Sequence, residues 1–186
     1  AHTIHGTLPK AGLVPVIPGA GPPGREYTVI KNWNRAATPP KPKKPRVASA
    51  HFVVGYDGNI VNPLDLALVA SYSVGTMPKG SKVLADRVNG WTISLEMCQL
   101  ADGRVYGATL DATATLFDWL AAHFQIARVY PGTATGAWTS GELARQTLLA
   151  HRGAFGHRNC RPSNRGVGDP GAPLFAVLRQ RGWTAW

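Results

Sequence analysis

The segment GHRNCRPSNRGVGDPG, residues 156–171, puts an imidazole, a thiol and a carboxylate into one turn-rich loop as His157, Cys160 and Asp169. Such a set can hold a metal, do thiol redox chemistry, or simply order a turn. Hydrolytic zinc takes three protein ligands from His, Asp, Glu or Cys and keeps water in the fourth position. That water becomes acidic enough to be the nucleophile. Two ligands in one loop converge when glycine and proline turn the chain back. His157 and Asp169 are twelve positions apart, with Pro162, Gly166, Gly168 and Pro170 between or beside them. Read structurally, the same pair orders a Gly/Pro loop. Two cysteines, Cys98 and Cys160, are too few for a disulfide scaffold or a four-thiolate zinc site. One disulfide between them is open; two buried thiols is the preferred reading, because Cys98 follows a core-like strand.

Elements must position these groups. AGLVPVIPGAGPPG, within residues 1–25, is too rich in proline and glycine for a helix or central strand and reads as an extended arm. Residues 26–186 read as the domain, beginning with a strand at Glu26 to Ile30. A basic, proline-rich loop, KPKKPR, follows. SAHFVVGYDGNIV (49–61) reads as a hairpin turning at Asp57-Gly58. NGWTISLEMCQ (89–99) alternates Trp91, Ile93 and Leu95 with Thr92, Ser94 and Glu96, a strand with one apolar face. Leu116, Leu120 and Phe124, four apart, predict a helix over 109–127. SGELARQTLLAHR begins helical and is expected to turn into a short strand at TLLAHR, and PLFAVLRQRGW (173–183) is a closing helix opened by proline. With no regular βαβ period, the expected fold is mixed α+β: a central mixed sheet flanked by helices in one domain.

Composition narrows the partners. Lys plus Arg exceed Asp plus Glu by 20 to 10, a net charge of +10. That suits a polyanion such as nucleic acid, an anionic membrane or bacterial wall polymer. Nucleic acid is not favoured, because basic residues are not interleaved with aromatics. The longest apolar run, LDLALVA, falls far short of the ~20 residues of a membrane span. No signal peptide is visible, and a cleaved one would leave no trace.

The chain resembles the type-2 N-acetylmuramoyl-L-alanine amidases, the family that includes phage amidase lysins and the peptidoglycan recognition proteins. GHRN…DPG is similar to the family's GHRD…DPG ending, and YTVIKNW to its first strand, VIH plus a polar residue. SAHFVVGYDGNIV resembles SAHYVVDRDGTIY, and NGWTISLEMCQ resembles NSIGIELVG. These segments keep the family's order over roughly residues 26–183. The resemblance implies a zinc-bearing groove and hydrolysis of the bond between the lactyl group of N-acetylmuramic acid and L-alanine. It implies Asp169 as third zinc ligand and His157 as second. His151 is a rival for the second place, because the family's histidine ends an apolar strand and Leu148-Leu149-Ala150 could supply one. Glu96, at the glutamate of GIE, would be general base or electrostatic partner of the water, and His51 would line the groove. Cys160 is a second-choice ligand, nine positions beyond His151.

The chain also departs from the pattern. Lys31, followed by Asn32, stands where the first ligand histidine belongs, and a protonated lysine repels Zn²⁺. Val167 replaces the lysine two before the last ligand, with Arg165 nearby as a substitute oxyanion partner. ASYSVG (70–75) lacks the histidine of WHAG. Three readings follow: an active amidase completed by another histidine, a peptidoglycan-binding module that has lost its zinc, or a site where Lys31 replaces the ion. Lys31, Asn32, His51 and Arg165 are the substrate-binding candidates. The expected protein is a monomeric phage or bacterial wall-lytic enzyme acting at the cell envelope on peptidoglycan. Its positive charge would adsorb it to anionic wall polymers.

Overall fold

The computed structural model describes residues 16–33, 49–66, 92–100, 102–139, 150–160 and 171–186, with 141, 143 and 147. Its centre is a three-stranded mixed sheet. Strand β2 (Phe52–Val54) pairs antiparallel with β3 (Ile60–Val61) and parallel with β4 (Leu95–Met97). Two small parallel pairs flank it: β1 (Val16–Ile17) with β5 (Val105–Tyr106), and β6 (Val129–Tyr130) with β7 (Thr184–Ala185). Helices with full described ranges are α1 (Arg25–Trp33), α2 (Gly107–Phe124), the single turn α3 (His157–Cys160) and α4 (Gly171–Gln180). The mixed α+β class read from the sequence is the fold observed.

The hairpin forms at its expected turn. Gly58 takes φ +82°, which only glycine adopts cheaply, and Asp57 Oδ1 accepts the Asn59 N–H at 3.0 Å. Helix α2 starts two residues before the expected helix and ends three earlier, at a left-handed Gln125. Helix α4 likewise starts two residues early. Of the extended arm, Val16–Ile17 forms β1, while residues 1–15 lie outside the described residues, as do KPKKPR and ASYSVG.

Two expectations are corrected. Residues 26–30 are helical: Val29 and Glu26 are buried at 1% exposure while Tyr27 and Lys31 face outward, an i, i+3 rhythm. The β-branched run suggested a strand, but Val29 and Ile30 pack side by side against Val53 and Cys98, which a strand cannot do with adjacent residues. At TLLAHR the described residues are helical where a strand was expected: Thr147 and Ala150 are helical, and the His151 N–H donates to Thr147 O at 2.9 Å, an i to i−4 bond.

The core has two sides. Phe52, Val54 and Leu95 pack on Leu116 and Leu120 of α2. Met97 joins Leu110, Ala114, Tyr130, Leu174, Phe175, Leu178 and Trp183 between α2 and α4. Asp118 ties this layer together, accepting from Trp183 Nε1 (2.8 Å), Arg128 (2.7 Å) and Arg181 (3.3 Å).

Candidate functional site

The central sheet positions two of the expected residues. Glu96 is register partner of Val53, so both project from one face of the sheet. That face is covered: Val53 and Cys98 pack under Val29 and Ile30 of α1. Glu96 is 3% exposed. The alternating pattern therefore does not leave a solvated face, because β4 is buried on both sides. A carboxylate carried there is expensive without a partner or a task.

His51 lies just before β2, also buried. Its Nδ1 accepts the Ser94 backbone N–H at 3.1 Å and lies 3.3 Å from the Ser94 hydroxyl. A ring nitrogen that accepts an N–H carries no proton, so the neutral ring is the Nε2–H tautomer. Asn62 Nδ2 donates to His51 O at 2.7 Å and fixes its backbone. Ser94 stands two positions before Glu96, so the structure brings His51 and the Glu96 strand together. Ser94 and Asn62 were missed from the sequence, since neither residue type carries a spacing signal.

Cys98, two positions after Glu96, is a free thiol pushed up to about 12, first by burial and then by the neighbouring Glu26 and Asp57 carboxylates, with Arg25 pulling the other way. It is an inert core thiol. Cys160 is also free and buried, so no disulfide joins the two.

His157 opens the turn α3 and is 3% exposed. His151 lies elsewhere, among aromatic rings. Its centroid is 4.6 Å from Trp186 and 5.9 Å from Phe155, and its Nε2 is 3.1 Å from Ala154 O. Burial holds its pKa below the usual histidine value, with the Ala154 carbonyl opposing. Lys31 is exposed on α1 and Asn32 follows it on that helix. Asp169 and Arg165 lie outside the described residues.

Among the described residues no three His, Cys, Asp or Glu side chains come close enough to hold a metal ion. They do not form a metal centre by themselves. Also among the described residues, no helix is long and apolar enough to cross a membrane.

A cleft of about 480 Å³ opens beside β6 and β7, lined by residues that include Thr133, Gly136, Arg179 and Trp186. Its loop leads, through Trp138 and Thr139, to the backbone held by Asn159 next to His157.

With this geometry in hand, comparison with known proteins is specific at the family level. Residues 22–171 match the family model described as N-acetylmuramoyl-L-alanine amidase. No curated protein and no solved structure matches the chain.

Proposed function

The chain belongs to the N-acetylmuramoyl-L-alanine amidase family, and from that premise we propose that it hydrolyses the amide between the lactyl group of N-acetylmuramic acid and L-alanine. The family is one of peptidoglycan amidases acting at the cell envelope. The observation that supports an active enzyme here is Glu96, a carboxylate buried at 3% exposure on the central sheet, two positions after the Ser94 that bonds His51.

In the proposed reaction Glu96 removes a proton from water as its oxygen attacks the lactyl carbonyl carbon. The C–N bond then breaks, and the proton passes to the departing amine of L-alanine. The products are a muramic acid carboxylate and a stem peptide with a free N-terminus. His51 is proposed to line the groove beside the substrate. Lys31, Asn32 and Arg165 are proposed contacts for the glycan and stem peptide. Zinc assistance is proposed on family grounds, with His157 and Asp169 as holders. His151 is the less suited alternative because its ring packs against Trp186 with Nε2 beside Ala154 O.

The test is to incubate purified protein with cell walls, count new N-terminal alanine, and measure zinc per chain. New alanine ends, about one zinc per chain and loss of both on chelation are expected. Asp169→Ala should abolish release yet still sediment with insoluble peptidoglycan. Sedimentation of the wild type with no release would replace the enzyme by a zinc-free binding module. Steep salt-dependent DNA binding without wall binding would replace both.

A further inference from the structure

We propose that Asn159 is the positioning residue of the His157 segment, acting through a carboxamide that an aspartate cannot replace. The proposal rests on the reading of His157 above. Asn159 is 0% exposed. Its Oδ1 accepts two bonds, from the Gly156 N–H at 2.9 Å and from Trp138 Nε1–H at 3.2 Å. Its Nδ2 donates two, to Thr139 O at 2.7 Å and to Gly141 O at 3.0 Å. The whole capacity of the amide, two donor hydrogens and two lone pairs, is therefore used. The partners also fix which atom is oxygen: two carbonyls need donors and two N–H groups need an acceptor.

The main chain of the same residue closes the turn. Asn159 N–H donates to Gly156 O at 3.0 Å, and Asn159 O accepts the Leu143 N–H at 2.9 Å. His157 and Arg158 are the two residues between these anchor points. Gly156 and Asn159 are joined by a side-chain bond in one direction and a main-chain bond in the other, so the backbone of His157 has no freedom of its own. The clamp holds the main chain that carries the imidazole and reaches across to Trp138, Thr139 and Gly141.

An aspartate here would keep the two accepting contacts and lose both donors. Its charge would face the carbonyl oxygens of Thr139 and Gly141 in a buried place, where an unmatched acceptor pair is costly. The asparagine is thus demanded by the loop it holds, a departure from GHRD that sequence reading alone treats as neutral.

The experiment uses the whole chain with Asn159→Asp, Trp138→Phe and, as a control that frees the same loop from β6, Tyr130→Phe, which removes the Tyr130 hydroxyl bond to Gly136 O. Melting temperature, zinc affinity, kcat, KM and the His157 ring signals by NMR are read together. Asn159→Asp is expected to lose about 10–100-fold in kcat and in zinc affinity with KM unchanged. Trp138→Phe, which cuts one bond of four, should lose less in the same direction. Tyr130→Phe should lower the melting temperature alone. Wild-type kcat and zinc affinity in Asn159→Asp overturn the proposal, as does a loss no greater than that of Tyr130→Phe at equal destabilisation. If Asn159→Asp does not fold, Trp138→Phe decides: unchanged kcat and zinc affinity overturn it. If the wild type itself releases no alanine and takes no zinc, the functional reading has failed, and the NMR arm decides alone. The His157 ring signals should then broaden or divide in Trp138→Phe while those of His51 stay put; unaltered His157 signals overturn the clamp.

Discussion

Glu96 and Cys98 project from one face of the sheet, under α1. Glu96→Gln keeps the side-chain volume and removes the proton acceptor. We expect kcat to fall about 10²–10⁴-fold with a melting temperature equal to or above the wild type, since a buried charge is removed. Turnover of soluble muropeptide together with thermal melting checks this, and an undiminished rate removes Glu96 from the chemistry. Cys98 stays protonated in the folded chain up to about 12, whereas the unfolded thiol ionises near 8.5. Between those values only the unfolded chain releases the proton. Stability from Cys98 is therefore complete below about pH 8.5 and is lost as pH rises toward 12. Burial also raises the Tyr56 hydroxyl, with the same sign. Cys98→Ala should flatten part of the alkaline fall in melting temperature; an unaltered slope would show that this thiol ionises freely when folded. Glu96 and His51, the proposed groove residues, could be singled out in the sequence because they sit in segments with a fixed order. Asn159 and Ser94 could not, since an amide or hydroxyl acquires its role from whichever backbone groups the fold brings around it.

Among the elements, α1 is the instructive case. Thr28-Val29-Ile30 reads as a strand by β-branching, and intrinsic propensity is weak enough for packing to override it. The two alternatives predict different neighbours. A strand places Tyr27 and Val29 on one face, whereas the helix exposes Tyr27 at 58% and buries Val29 at 1%. Val29→Ala should cost about 2 kcal/mol and Tyr27→Ala within about 0.5 kcal/mol, read by chemical denaturation. Equal losses would restore the strand. The hairpin and α2 were legible because their signals are local, a Gly at positive φ and apolar residues four apart. The parallel pairs β1–β5 and β6–β7 were not, because two-residue strands have no period and their partners are far away in the chain.

Over the whole molecule the net charge of +10 acts at a distance. Adsorption to an anionic wall preparation should drop steeply between low salt and 1 M, where the screening length shrinks from ~10 Å at 0.1 M to ~3 Å. Hydrolysis of a small soluble muropeptide, whose binding depends on close contacts, should change far less. Sedimentation and turnover across a salt series separate the two, and parallel decline would place the charge effect inside the groove instead.

The β6–β7 pair has a kinetic consequence as well. Val129 waits for Thr184, fifty-five residues later, before its parallel partner exists. During synthesis the α2–α4 layer and its buried Trp183 therefore stay open until β7 has emerged from the ribosome. A nascent chain stalled short of residue 184 would present Tyr130 and Phe175 to chaperones, and this layer would close only once β7 is available.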